Sequence, residues 1–170
     1  MKGVEKLLKT QVIKLKVNQT MQKHLDALCD YRRYCWNKGL ETWQAMYEAH
    51  TLNKQDNPRP NERRVRNELV ADKADWQYDL SARCLQLAVK DLANAWQNFF
   101  DKAQPDWGMP KFKSKKAPRQ GFKTDRAKVV NGKLRLDKPR SVSKEEWFDL
   151  GSYESLKMTE VKVVSVFKKN

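Results

Sequence analysis

Cations alternate with aromatic rings in one stretch of the sequence, between Pro110 and Lys128. Ammonium and guanidinium groups neutralise phosphates, and an aromatic ring stacks on a nucleobase, so this mixture favours a nucleic-acid surface. The alternative for its two rings, Phe112 and Phe122, is that they anchor a solvated loop to the core. The candidate phosphate-binding residues of this stretch are Lys111, Lys113, Lys115, Lys116, Arg119 and Lys123.

The excess of positive charge extends beyond this stretch. The 170 residues include 35 Lys and Arg against 21 Asp and Glu, which gives a formal net charge of +14 and favours a polyanionic partner. Residues 106–140 alone hold 12 basic and 3 acidic side chains. A hydrophobic content of 39% predicts a folded chain rather than a disordered basic tail. A second basic cluster opens a predicted helix and adds Arg63 and Arg66 as candidates.

Few residues are spaced for catalysis or for metal binding. His24 and His50 are far apart in sequence, and neither a nucleophile elbow nor a glycine-rich phosphate loop is present. The cysteines, Cys29, Cys35 and Cys84, form no Cys-x-x-Cys pair and fall at helical positions, which predicts buried thiols rather than a zinc site. We therefore expect no catalytic residue, no metal site and no cofactor.

Hydrophobic periodicity predicts the elements that carry these residues. Residues 10–17 alternate apolar and polar side chains, as a half-buried strand does. Asn18 or Thr20, and later Asn61, are suitable N-caps for helices. Spacing of three to five residues then predicts helices over residues 20–49, 61–74 and 80–102, with a polar loop at 52–60 between the first two.

Strand patterns return after a proline-containing connector at residues 105–121. Val129 to Leu136 predicts a hairpin, because Asn131-Gly132 tolerates the two positive φ angles of a type I′ turn. Val161 to Phe167 alternates as another strand. A helical block flanked by strands favours one small antiparallel sheet or barrel with a helical insertion. The expected fold class is therefore α+β.

Three separated motifs occur in a fixed order along the chain. They are Arg33-Tyr34-Cys35-Trp36-Asn37, then Ser81-Ala82-Arg83-Cys84-Leu85-Gln86 leading to Ala95-Trp96-Gln97-Asn98-Phe99-Phe100, and Pro110-Lys111-Phe112-Lys113-Ser114-Lys115. Over about residues 10–136 this series resembles the N-terminal half of the TnpB family. That family comprises insertion-sequence proteins that are RNA-guided DNA endonucleases and relatives of type V CRISPR effectors.

The resemblance implies an architecture. Residues 10–18 and 106–170 would form a wedge-like β-barrel domain, and residues 19–105 an inserted helical recognition domain, for which helix-turn-helix is an older label. Family members use this half to hold the guide RNA and to read a short motif beside the DNA target. We therefore expect guide RNA and double-stranded DNA as partners.

The resemblance also implies roles for three site residues, of which Gln86 and Thr124 are new candidates. By position in its motif, Gln86 matches a glutamine that faces the target-adjacent DNA, and a glutamine can pair bidentately with adenine. Lys123 and Thr124 fall where the barrel would approach the same duplex. Trp36 and Asn37, from the first motif, could support the same site, but the apolar helical spacing of Trp36 favours a core position.

The catalytic half of the family is expected to be absent from these residues. Family nucleases cut with a RuvC-like domain whose three carboxylates hold two metal ions. The sequence ends at Asn170, just after the strand that precedes this domain. Asp149-Leu150-Gly151 imitates the first nuclease motif, but Lys144-Glu145-Glu146 replaces the apolar strand expected before it and no partner carboxylates follow. We interpret the match as a coincidence.

The leading hypothesis is a recognition lobe that binds nucleic acid without a catalytic centre of its own. One alternative is a subunit of a split nuclease, completed in trans by a separate RuvC-like chain. Another is a DNA-binding repressor that needs no RNA. The expected location is the prokaryotic cytoplasm, in association with the nucleoid. No run of 18 apolar residues occurs, so no membrane partner is expected.

Overall fold

Three α-helices precede four short β-strands in the computed structural model, which describes residues 9–101, 103 and 106–168. The connections between these elements include two short 3₁₀ turns, one before the third helix and one after the third strand. The helices are α1 (Gln19–Leu52), α2 (Glu62–Ala71) and α3 (Ala82–Phe100), and the strands are β1 (Gln120–Thr124), β2 (Lys128–Val130), β3 (Lys133–Arg135) and β4 (Val164–Lys168).

The three predicted helices are confirmed, with their ends displaced by a few residues. The Asn18 side chain accepts a hydrogen bond from the backbone N–H of Met21 at 2.9 Å. Asn61 caps α2 in the same way, with the N–H of Arg64 at 2.9 Å. Each cap satisfies a backbone donor that the first turn leaves without a helical partner. The predicted end of the third helix at Lys102, and the proline expected to stop it, lie outside the described residues.

Gly39 allows α1 and α3 to approach closely. A Cβ placed on Gly39 would lie 3.0 Å from Cδ2 of Leu92 and 3.9 Å from side-chain atoms of Val65 and Val89. All three neighbours are fully buried. The glycine therefore places α1 against both α2 and α3, where any larger side chain would crowd the core.

The predicted burial of the cysteines is confirmed, since all three are buried among these helices. Burial raises the pKa of Cys35 and of Cys84 to about 12, and that of Cys29 to about 11. Thiols with such pKa values stay protonated at neutral pH, so they behave as small apolar groups of the core.

The predicted hairpin is confirmed. β2 and β3 pair in antiparallel register, with Val129 opposite Leu134. Between the two strands Asn131 has a φ of 51° and Gly132 a φ of 74°, which is the left-handed backbone that a type I′ turn requires. The second sheet joins β1 to β4, also antiparallel, and places Phe122 opposite Val166. The predicted last strand is thus present, but it begins at Val164 rather than Val161.

The expected closed β-barrel is wrong for the described residues, which form two separate two-stranded sheets. A barrel needs a continuous ladder around its circumference. Outside the named strands, only single bridges occur, between Leu15 and Ser152 and between Leu134 and Leu150. Residues 136–163 would have to supply the missing strands. They contain irregular segments, turns, the 3₁₀ turn at Lys144–Glu146 and single bridges at Leu150 and Ser152.

The predicted N-terminal strand is an extended segment rather than a full strand. Its side chains do alternate, since Val12 is exposed whereas Ile13, Leu15 and Val17 are half-buried. Its backbone pairs only around the Leu15 bridge, where Lys16 donates to Gly151 and Tyr153 donates to Lys14.

One hydrophobic core includes side chains from the helices and from the strand region. It contains Leu40 and Leu92 of the helices together with Phe122, Leu134 and Leu150. The division into an inserted helical domain and a flanking domain therefore stays a prediction. None of the described helices combines the length and the apolar character needed to span a lipid bilayer.

Replacement of Gly39 by Val should destabilise the fold. The new methyl groups would overpack the contact with Leu92, which costs about 1–3 kcal/mol and exceeds the few tenths gained in helix propensity. Urea unfolding monitored by circular dichroism measures the free energy of unfolding. The matched control is Ala45→Val, at an exposed position of the same helix. An equal effect of both substitutions would contradict the close approach at Gly39.

Candidate nucleic-acid interface

Residues 110–119, which we call the basic connector, are fastened to α1 by hydrogen bonds. The indole Nε1 of Trp36 donates to the carbonyl oxygen of Lys111 at 2.8 Å. The next residue, Asn37, donates from Nδ2 to the carbonyl oxygen of Lys113 at 2.9 Å and accepts from the Lys113 N–H at 2.7 Å. Trp36 is 7% exposed, so its ring is confirmed as a core residue whose edge reaches the connector. The connector backbone is thereby held at Lys111 and at Lys113.

A second set of contacts holds the far end of the connector. Gln120, the first residue of β1, accepts a hydrogen bond on Oε1 from Arg33 of α1 at 3.0 Å. Its amide nitrogen donates to the carbonyl oxygens of Ser114 and Ala117, both at 3.1 Å. The connector is therefore bent into a fixed loop although it has neither helical nor strand structure.

Lys113 differs from the other lysines of the connector. Its Nζ lies 4.3 Å from the centroid of the Trp36 ring, within the range of a cation–π contact. Burial of this ammonium group, together with the nearby charge of Arg32, lowers the pKa of Lys113. The Lys113 ammonium group therefore helps to hold the connector on α1.

The remaining cations of the connector point their charge at solvent. Lys111, Lys115 and Lys116 are exposed, and their ammonium groups form no ion pair with a carboxylate in the described part of the chain. The guanidinium carbon of Arg119 lies 3.9 Å from the centroid of the exposed Phe167 ring. With Lys113, five of the predicted cations therefore lie on one short, fixed loop.

Lys123 is placed in a different environment, at the seam between α3 and β1. Its Nζ lies 3.0 Å from Oδ2 of Asp91, and the same oxygen lies 3.0 Å from Nη2 of Arg32. Asp91 therefore joins α1, α3 and β1 through two cations. Thr124, next along β1, is 6% exposed and accepts a hydrogen bond from the N–H of Arg126, so it contributes to the fold at this position.

Gln86 also lies at this seam, and its carbonyl group is occupied. Arg83, one turn earlier on α3, donates both to Oε1 of Gln86 and to the carboxylate of Asp125. The hydrogen bonds from Arg83 lower the pKa of Asp125. Bidentate pairing with adenine uses both the oxygen and the nitrogen of a glutamine amide. Gln86 can therefore make that contact only by giving up its bond to Arg83.

The two arginines predicted on α2 remain apart from the connector. Arg63 is exposed, and Arg66 lies 3.9 Å from Glu62, one turn earlier on the helix. An exposed pair of this kind contributes little to stability. Among the described contacts, none joins these arginines to the connector or to Gln86.

A second basic surface, which sequence reasoning missed, lies beside the β2–β3 hairpin. A cleft of about 740 Å³ opens between the hairpin and the segment around Trp147, and we call it the hairpin cleft. The signal for it was available, because its cations belong to the same basic segment, residues 106–140, or lie just after it. The six cations that line it are Arg126, Lys128, Lys133, Arg135, Lys138 and Lys144.

Asp149, which imitates a nuclease motif, is held in an ion pair at the edge of this cleft. Arg135 donates from Nε and Nη2 to its two carboxylate oxygens at 2.8 and 3.0 Å. These hydrogen bonds lower the pKa of Asp149. Within the described ranges, no group of three His, Cys, Asp or Glu side chains is close enough together to hold a metal ion.

Comparison with known proteins leaves the family open. No protein-family model matches the chain, and the search of curated proteins found no match. The resemblance to TnpB therefore stays an expectation carried by the three motifs alone.

Replacement of Asn37 by Ala should loosen the connector while leaving the fold intact. The substitution removes both hydrogen bonds to the Lys113 backbone, and one such bond contributes about 1 kcal/mol. Hydrogen exchange at the Lys113 amide should accelerate about fivefold or more. Asn67→Ala, at an exposed position of α2, is the matched control and should leave that amide unchanged. Unchanged exchange in N37A would show that Asn37 does not fasten the connector.

Proposed function

We propose that the chain binds nucleic acid through the basic connector. The observation that carries this proposal is the combination of exposed lysines without carboxylate partners, Lys111, Lys115 and Lys116, with a backbone fastened to α1 at Trp36 and Asn37. Elsewhere in the described part of the chain, several cations are already neutralised by Asp91, Asp125 or Asp149. The connector lysines need break no such pair to bind a phosphate.

The fixed backbone favours binding for an entropic reason. A loop that must become ordered on binding loses part of its interaction free energy to that ordering. The connector is already held at Lys111, at Lys113 and at Gln120 in the free protein. Only the lysine side chains must be ordered when they meet phosphates, so more of the electrostatic attraction remains as affinity.

The proposed role is the recognition part of a transposon-associated, RNA-guided DNA-targeting protein, with guide RNA and target-adjacent duplex DNA as partners. The motif resemblance supports this finer assignment. The position of Gln86 is compatible with it, because Gln86 is bonded to Arg83, which reaches Asp125 just after β1, and Lys123 of β1 is bonded to Asp91 of the same helix. Release of Gln86 from Arg83 would then accompany DNA binding.

We further propose that these 170 residues bind nucleic acid but do not cut it. Asp149 is the carboxylate that imitates a nuclease motif, and both of its oxygens accept hydrogen bonds from Arg135. The two hydrogen bonds from Arg135 would compete with a metal ion for these oxygens.

Replacement of Lys111, Lys115 and Lys116 by Ala should weaken binding to RNA and to duplex DNA and should flatten its salt dependence. Each lost phosphate contact lowers the slope of log affinity against log salt concentration by about 0.7–0.9, so the triple variant should lose about two to three units. Fluorescence anisotropy titrations at salt concentrations between about 50 and 300 mM measure this slope.

The control for this experiment is a triple variant of the same charge, Lys23, Lys54 and Lys157 to Ala, at exposed lysines outside the connector. Its slope should change by less than about one unit. An unchanged slope in the connector variant would show that its lysines only face solvent, and the proposal would then fail.

A further inference from the structure

We infer that the hairpin cleft is a binding site for single-stranded nucleic acid, in which Phe148 stacks on an unpaired base and the cleft lysines hold the adjoining phosphates. This inference rests on the proposed function, because it assigns a strand of nucleic acid to a second surface of the same chain. The site lies beyond the connector, from which it is separated by the five residues of β1, about 17 Å of strand.

The charge of the cleft favours an anionic occupant. Six cations line it, against two carboxylates, Asp137 and Asp149. Asp149 is already paired with Arg135, and Lys138 donates to the carbonyl oxygens of Pro139 and Val142. The other four cations form no ion pair or side-chain hydrogen bond with a described residue; they are Arg126, Lys128, Lys133 and Lys144.

One wall of the cleft is rigid. The indole Nε1 of Trp147 donates to the carbonyl oxygen of Leu136 at 2.9 Å, and the ring of His24 packs edge-on against the indole at 5.3 Å. Leu136 is buried, and Leu150 bridges the hairpin at Leu134. The segment that carries Phe148 is therefore fixed to the hairpin on either side of the ring.

Phe148 itself is the feature that favours a base over a simple anion. Its side chain is 48% exposed although it lines a cleft dominated by cations, and no other aromatic ring of the described chain stacks on it. An exposed aromatic ring flanked by ammonium groups is the arrangement with which proteins bind single strands. In a duplex the faces of the bases are covered by their neighbours, so an unpaired base is the partner that fits this ring.

The size of the cleft is compatible with this occupant. Its volume of about 740 Å³ falls within the range of roughly 300–1,000 Å³ that ligand sites occupy. RNA and DNA share the phosphate and base chemistry that the cleft offers, so both are included as probes.

The test compares the affinities of the Phe148→Ala variant and of wild type by fluorescence anisotropy. The probes are oligo(U) and oligo(dT) of about 12 nucleotides and a blunt duplex of about 12 base pairs, because one single-strand site spans on the order of 10 nucleotides. Loss of one stacking contact should weaken binding to both single strands by about 5- to 150-fold and leave duplex binding unchanged. Tyr47→Ala is the matched control, because Tyr47 is a similarly exposed ring, at 46%, on α1. The tighter of the two wild-type single-strand complexes identifies the preferred kind of strand, and weakened binding of that strand by F148A supports the site.

A second variant tests the phosphate contacts independently of the ring. Replacement of Lys128, Lys133 and Lys144 by Gln should lower the salt slope for oligo(U) by about two units. Both variants change exposed side chains only, and circular dichroism confirms that each remains folded.

The outcomes separate this inference from the proposed function. Unchanged single-strand affinity in F148A, together with weakened binding in the connector variant, would overturn the cleft assignment and leave the proposed function standing. Failure of the wild-type chain to bind any of the three probes would overturn both. An oligo-glutamate of about 12 residues has about the same length and net charge as the single-stranded probes. If it displaced oligo(U) as well as unlabelled oligo(U) does, the cleft assignment would also be overturned, because carboxylates supply charge without a stacking base.

Discussion

The contact between α1 and the basic connector is the interaction on which the rest of the candidate site depends. α1 has 34 residues, and one face of it is buried against α2 and α3. At Trp36 and Asn37 the same helix presents hydrogen-bond donors and an acceptor to a segment that has no regular structure of its own, and at Arg33 it donates to Gln120, the first residue of β1. The core that fixes α1 therefore also fixes the connector, although the two are more than 70 residues apart in sequence.

Two groups of cations in the fold differ in whether a carboxylate neutralises them. Cations at the seam between α1, α3 and β1 are neutralised. Asp91 forms ion pairs with Arg32 and Lys123, and Asp125 forms one with Arg83. Cations on the connector and in the hairpin cleft are largely left to solvent. The first group contributes to packing between elements. The charges of the second group would repel one another without counter-ions, and a polyanion is the partner that relieves this repulsion.

The sequence was informative wherever a local rule sets the structure. Side-chain caps at Asn18 and Asn61 and the Asn131-Gly132 turn are local, and each lies where its pattern predicts. The prediction of a closed barrel was wrong because closure depends on pairing between distant segments. The alternation at residues 10–17 does not indicate which residues of another strand they would pair with. The roles of Lys113 and Lys123 could not be predicted either. Both depend on partners, Trp36 and Asp91, that only the tertiary fold brings close.

The most direct test of the central claim is to crosslink the tagged chain to nucleic acid in the cells that naturally make it and to sequence what is bound. The account predicts enrichment of one defined, structured RNA, and loss of that enrichment when Lys111, Lys115 and Lys116 are replaced by Ala. Enrichment of a specific duplex DNA without RNA would contradict the RNA-guided role and favour a repressor. Recovery of no nucleic acid, or of equal amounts with the variant, would contradict the claim that the basic connector is a nucleic-acid-binding surface.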